Sequence, residues 1–268
     1  MPIALYSQGD IRYEEKGNGE PLILIHGVGL DHTMWEKYVE MLSTQFRVIV
    51  YDTLGHGGSE HPPGPYTLSQ FVEQLTALMD YLHINKSHIV GFSMGGMVAQ
   101  AFELTYTDRV STLTIMNAVA NRTEEQRNAV LARVEEVKKI GPIATIEPAI
   151  QRWFSHHFIV NHDEIINNIR TRLKTNNPPS YLAAYSLFAT ADKELWPKLH
   201  NILSPTLIIT GEHDRGSNPE MAKQMNEKIR CSEVVIVPNM KHMLPVEDAT
   251  NVSKLIRLFI EKQTVHSE

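Results

Sequence analysis

The sequence predicts an α/β fold in which parallel strands are covered by helices on both faces, and three observations carry that expectation. Eight short runs rich in β-branched and aliphatic residues recur along the 268-residue chain, at 3–6, 11–15, 22–26, 47–51, 89–92, 112–117, 206–210 and 233–237, each bounded by Gly, Pro, Asn or Asp. After the first two, the runs are continuously apolar rather than alternating, as strands buried on both faces are. Helical patterns such as 68–82 and 94–105 lie between them, the order that a parallel sheet with crossover helices requires.

Taken in order, the first two runs flank Gln8-Gly9-Asp10 and read as an antiparallel hairpin at the sheet edge. The run 22–26 leads into His26-Gly27-Val28-Gly29, and 47–51 into Asp52-Thr53-Leu54-Gly55-His56-Gly57-Gly58-Ser59, a glycine-rich loop expected to shape the floor of a site. The run 89–92 feeds Ser93-Met94-Gly95-Gly96, and 112–117 ends in Met116-Asn117. From 118 to about 190 strand runs stop and helical spacing takes over, in Val130, Val134 and Val137, then over 150–158, 165–173 and 181–188. Thr123 with Gln126 forms a capping box at the start of this stretch, and Asn177-Pro178-Pro179 breaks it before its last helix. Pro205 restarts the strand pattern, and a final helix is expected over 247–262. The expected organisation is one core, 1–117 with 191–268, interrupted by a helical insertion at 118–190.

Composition narrows the function. The chain is 42% hydrophobic and 21% charged, with 31 acidic against 25 basic side chains, a formal charge of -6. That balance offers no field for phosphate backbones or anionic lipid, so no nucleic-acid partner is expected. No apolar run approaches the roughly eighteen residues of a spanning helix, so no membrane partner is expected either. Residues 1–10 lack a basic and apolar leader pattern, which makes a cytoplasmic location the default expectation. Cys231 is the single cysteine, excluding an internal disulfide and a thiolate zinc site. The glycosylation-type triplets at Asn85, Asn121 and Asn251 then carry no meaning. His156, His157 and His162 have no carboxylate at ligand spacing, and neither G-x-G-x-x-G nor a P-loop occurs; no metal and no cofactor are expected.

The chemistry sits in Gly91-Phe92-Ser93-Met94-Gly95, a G-x-S-x-G motif between a strand and a helix. A serine on so sharp a turn has its hydroxyl lifted above the sheet, and the crowding requires small residues two before and two after it. Ser93 is therefore the candidate nucleophile. A serine hydroxyl needs a base, and the base needs an acid to orient it. In this strand order the acid follows a later strand and the histidine the last one, which selects Asp214 in Gly211-Glu212-His213-Asp214 and His242 after Asn239-Met240-Lys241. Glu212 is the rival acid. Backbone N–H groups of Val28 and Met94 are the candidate oxyanion donors, with Gly27 and Gly29 allowing close approach.

These motifs, in this order and over nearly the whole chain, resemble the α/β-hydrolase family. The resemblance implies an eight-stranded, mostly parallel sheet with a helical cap inserted after the sixth strand. Within that family Arg152-Trp153-Phe154, Tyr181-Leu182-Ala183-Ala184-Tyr185, Ala191-Asp192 and the spacing to Asp214 are most similar to 3-oxoadipate enol-lactonases and carboxylesterase-like members. Phe92 and Met94 beside the serine, and Thr53 where such lactonases often have arginine, depart from that pattern. Carbon–carbon bond hydrolases share Ser93-Met94-Gly95-Gly96 but typically have asparagine at the position of Phe92 and tryptophan at that of Met243. The function expected is hydrolysis of a small ester or lactone substrate through an acyl-enzyme. The alternatives are a cofactor-free perhydrolase, a carbon–carbon bond hydrolase with the same triad, or a non-catalytic ligand receptor on this fold. Residues 122–174 hold nine basic and seven acidic side chains in an acidic chain. Arg152 is the candidate for a substrate carboxylate, and Trp153, Phe154 and Tyr185, with Phe188, are candidates for the pocket wall.

Overall fold

The computed structural model describes residues 2–7 and 9–265. Its strands are β1 (Ile3–Tyr6), β2 (Gly9–Lys16), β3 (Glu20–Ile25), β4 (Phe46–Tyr51), β5 (Ser87–Phe92), β6 (Val110–Met116), β7 (Thr206–Gly211) and β8 (Ser232–Val237). Its helices are α1 (Glu36–Leu42), α2 (Leu68–Tyr81), α3 (Met94–Thr105), α4 (Glu124–Ile140), α5 (Ile146–Trp153), α6 (His156–Asn161), α7 (Asp163–Lys174), α8 (Pro178–Thr190), α9 (Asp192–Leu195), α10 (Pro219–Lys228), α11 (Leu244–Glu247) and α12 (Ala249–Val265). The strands form an eight-stranded sheet in the order β1-β2-β4-β3-β5-β6-β7-β8. β1–β2 and β2–β4 pair antiparallel and every later pair is parallel. Gln8, in the expected hairpin turn, lies outside the described residues.

Sheet order places the site. β3 lies between β4 and β5, so the chain leaves β3 to one side and crosses back over it to reach β5. The loops after β3 and β5 diverge there and leave a crevice at the carboxyl ends of the strands, where open α/β sheets bind ligands.

Continuously apolar strands are possible because both faces are covered. Along β3, Ile23 and Ile25 join one buried cluster while Leu22 and Leu24 join the other, as the two-residue repeat of a strand dictates. β4 repeats the division, with Ile49 and Tyr51 on one face and Val48 and Val50 on the other. The first face is covered by α2, α3 and α10, the second by α1 and α12. The short helices α1 and α10 lie outside the elements expected from sequence, although Asn218 followed by Pro219 is a helix-start signal, and Asn218 does cap Met221 N–H at 3.0 Å.

Between β6 and β7 the chain makes helices α4 to α9 and no strand among the described residues. α4 opens on the expected capping box, Thr123 Oγ1 accepting from Gln126 N–H and Gln126 Oε1 from Thr123 N–H. The expected run 150–158 is two helices. Phe154 is extended, and Ser155 starts α6 by accepting from Phe158 N–H at 3.1 Å. The last expected helix is likewise divided: α11 ends where Asp248 turns to φ -133, and α12 follows. α9 and the 3-10 turn after it lie beyond 190 and pack against α3. Three contacts fasten the insertion to the loops above the sheet. Asn176 Nδ2 donates to Gly29 O at 2.8 Å, Met243 N–H to Trp153 O at 2.9 Å, and Ser155 Oγ to Glu247 at 2.6 Å. No described helix is long and apolar enough to cross a membrane.

Candidate active site

Ser93 occupies the turn between β5 and α3 with φ 55 and ψ -115. A side chain there is strained by about 1–3 kcal/mol, a cost that only well-fixed surroundings sustain. The surroundings are fixed by proximity. A Cβ on Gly91 would lie 2.2 Å from Gly95 O, and one on Gly95 would lie 2.3 Å from Ile25 O. Ser93 N–H donates to Met116 O at 2.8 Å, tying the turn to the end of β6. Met94 begins α3 directly after Ser93, so its N–H lies in the first turn of the helix, where no intrahelical acceptor exists. Neither it nor Val28 N–H has a hydrogen-bond acceptor among the described residues.

Asp214 and His242 meet across 28 residues of sequence. His242 Nδ1 donates to Asp214 Oδ2 at 2.7 Å. The same oxygen accepts from Asn117 Nδ2 at 2.9 Å, and Oδ1 accepts from the N–H groups of Gly216 and Ser217 at 2.9 and 3.0 Å. Burial pushes the Asp214 carboxyl up, but the charge and hydrogen bond of His242, with Asn117 and Ser217, outweigh it and hold the group below the usual carboxylate range. Glu212 is exposed and accepts from Asn239 N–H at 2.9 Å, supporting the loop before His242. Asn117 is the site residue that sequence reading passed over. It stands directly after β6 with φ 46, and the available signal was an amide side chain at the carboxyl end of a strand neighbouring β5.

The loop after β3 is held from below. His26 Nδ1 donates to Gly27 O at 2.8 Å and its Nε2 accepts from Thr53 N–H at 2.9 Å, so the ring is neutral, and burial keeps its pKa low. Asp52 Oδ1 accepts from His32 Nδ1 at 2.6 Å and from His32 N–H at 2.9 Å, while Oδ2 accepts from Gly58 N–H at 2.7 Å. Burial alone would lower the His32 pKa; the hydrogen bond and charge of Asp52 overcome it and raise the value. A raised histidine pKa stabilises the fold fully below the unfolded value near 6.5 and ceases to do so as pH rises through the folded value. His32→Asn is therefore expected to cost about 2 kcal/mol near pH 6, with a smaller deficit by pH 9. Melting temperatures of both proteins across that range check it, and a deficit independent of pH would refute the charged pair.

Above the crevice is a cavity of about 460 Å³ whose lining includes Val28, Ser93, Asp214 and His242. Arg152, Trp153, Tyr185 and Phe188 also line it, so the insertion forms part of its wall. Trp153 sits 6.1 Å from the His242 ring, centroid to centroid. Phe154 departs from expectation. It is fully buried in the cluster beneath α5 and stacks on Phe158 at 5.5 Å, because the helix ends at Trp153 and the extended residue after it turns inward. Among the described residues no group of three or more His, Cys, Asp or Glu side chains is arranged to hold a metal ion. His162 stacks on Phe158 at 4.2 Å.

Comparison with known proteins agrees with this architecture. The alpha/beta hydrolase fold family matches residues 20–249. The chain is 31% identical over 260 residues, covering 97% of each sequence, to (E)-2-((N-methylformamido)methylene)succinate hydrolase of Acinetobacter baylyi. It is 30% identical over 243 residues to 3-oxoadipate enol-lactonase 1 of the same organism, covering 90% of this chain and 88% of that one. The crystal structure of the enol-lactonase from Burkholderia xenovorans superposes with a TM-score of 0.91 at 28% identity, covering 97% of this chain and 100% of that one.

Proposed function

Because the chain belongs to the alpha/beta hydrolase family, we propose that it cleaves a small carboxylic ester or lactone through an acyl-enzyme on Ser93. The observation that carries this reading is the 2.7 Å bond between His242 Nδ1 and a buried, ionised Asp214, at a cavity that also contains Ser93. With Nδ1 committed to Asp214, Nε2 is the basic nitrogen. His242 takes the Ser93 proton, Ser93 Oγ attacks the carbonyl, and the N–H groups of Val28 and Met94 receive the oxyanion. Each donor is worth about 3 kcal/mol in the transition state. The leaving oxygen takes the proton from His242, which then activates water to release the acid.

In this reading α4 to α8 act as a cap over the sheet, and Arg152, Trp153 and Tyr185 contact substrate from it. Similarity to an enol-lactonase and to a succinate-derivative hydrolase supports small, acid-derived substrates. Two measurements test the proposal at different levels. An organophosphonate probe should leave one adduct, on Ser93, by peptide mass spectrometry; labelling elsewhere refutes the nucleophile. A panel comparing 3-oxoadipate enol-lactone with short and long p-nitrophenyl esters should favour the lactone by more than tenfold, and a smaller preference refutes the lactonase-like specificity alone. Running the panel with hydrogen peroxide, and with a vinylogous diketone acid, separates ester hydrolysis from perhydrolysis and carbon–carbon cleavage by product.

A further inference from the structure

Arg122 lies six residues past the end of β6, one residue before the cap of α4, and its side chain is 2% exposed. Its Nη1 donates to Asp192 Oδ1 and to Phe188 O, both at 3.0 Å, and its main-chain N–H donates to Asp192 Oδ2 at 3.1 Å. The guanidinium carbon sits 4.6 Å from the centre of the Phe188 ring. Asp192 is not its alone. Arg127 donates to the same carboxylate with both terminal nitrogens, at 2.7 and 3.0 Å. Two buried guanidinium groups thus share one buried carboxylate, and the cluster keeps a net positive charge. Arg122 Nη2 is buried and has no hydrogen-bond partner among the described residues.

Leaving a charge uncompensated in the interior costs several kcal/mol, and an orphaned charged donor adds to that cost. Desolvation, reinforced by the charges of Arg127 and Arg133, holds the Arg122 pKa below the usual arginine range despite Asp192 beside it, consistent with too little negative charge nearby. Arg122 lines the same cavity as Ser93. The rest of that lining leans the same way. Arg133, Arg152, Arg215 and Lys241 also face it, against the carboxylates of Glu136 and Asp214, and Asp214 is engaged by His242. Arg133 Nε donates to the Tyr185 hydroxyl at 3.1 Å, and no described carboxylate forms an ion pair with Arg133 or Arg152.

We propose that the Arg122 guanidinium is the anchor of an anion subsite that receives a free carboxylate of the substrate while its ester or lactone carbonyl lies at Ser93. This rests on the hydrolase reading and narrows it to acid-bearing esters and lactones. A guanidinium fixed by Asp192 and Phe188 is already oriented, so little freedom is lost when the carboxylate docks. Arg152, the arginine singled out by sequence, also lines the cavity but is exposed, and is the weaker anchor.

The test compares mono-p-nitrophenyl glutarate with its methyl ester, the same acyl chain with the charge removed. Wild-type protein should prefer the free acid by at least tenfold in kcat/KM, and Arg122→Met should reduce that ratio at least tenfold, mainly through KM. Arg127 still pairs bidentately with Asp192 in this variant, so it should fold; Arg122→Lys, which keeps a charge near Asp192, is the second variant and should give an intermediate ratio. Glutarate should also raise the melting temperature of wild-type protein and not that of Arg122→Met, a readout that needs no turnover. Hydrolysis of both esters by wild type without preference overturns the anion subsite, as does an unchanged ratio in both variants. Inorganic phosphate protecting as well as glutarate overturns the carboxylate assignment. Failure of the hydrolase reading looks different: neither ester turns over, while glutarate still protects the wild type.

Discussion

Ser93→Ala is expected to lower kcat/KM on any ester the protein accepts by about 10⁴–10⁶-fold, with little change in KM. The change removes one oxygen and leaves the rest of the site in place. Alanine keeps the Cβ, so the backbone at φ 55 and the close approach of Gly91 and Gly95 are undisturbed, and the melting temperature should stay within a few degrees. What survives is the pair of N–H donors at Val28 and Met94 together with the cavity, and such remnants typically keep about 10³-fold over water. The phosphonate adduct should disappear in parallel. A variant retaining more than a tenth of wild-type turnover would mean that the hydroxyl does not attack, whatever the shape of its turn.

That turn was legible in the sequence because its demands are local. A serine forced to positive φ between a strand and a helix needs glycines at fixed offsets, and Gly91 and Gly95 stand at those offsets with the backbone of Gly95 and Ile25 pressed against their α-carbons. The strands were legible for a similar reason: burial on both faces leaves runs such as Leu22 to Ile25 without a polar position. The order of motifs along the chain then selected Asp214 and His242. Helix ends at the insertion were less legible. Trp153 and Phe154 are neighbours of like character, yet the chain leaves α5 between them, so one faces the cavity and the other the core.

Contacts between distant segments left no trace in spacing. Asn117 reaches Asp214 across 97 residues, and Arg122 and Arg127 converge on Asp192 from 70 and 65 residues away. Each pair is set by the sheet order, which puts β6 beside β7, or by the packing of α4 against α8. A residue of ordinary type at an ordinary place in the sequence becomes part of the site only through that packing. Asn117 is such a residue, and its role can be separated from that of the acid it touches.

Asp214→Asn is expected to lower kcat by about 10⁴-fold, because the amide that replaces the carboxylate no longer fixes the His242 tautomer or stabilises the imidazolium formed during attack. Retention of more than a tenth of the activity would return Glu212 to consideration. Asn117→Gly should cost far less, about tenfold, since His242, Gly216 and Ser217 still hold the carboxylate. Glycine accepts φ 46 without strain, so the variant removes the amide and little else. Its effect should depend on pH in a definite direction. Asn117 donates to the ionised form of Asp214 and so helps to keep the carboxyl below its usual range; without it the carboxyl pKa rises, and protonation of Asp214 adds to the loss of kcat/KM at the acid end of the profile. The deficit of Asn117→Gly should therefore grow as pH falls. A purely structural loss would lower the profile equally at every pH, and that outcome would remove Asn117 from the positioning of the acid.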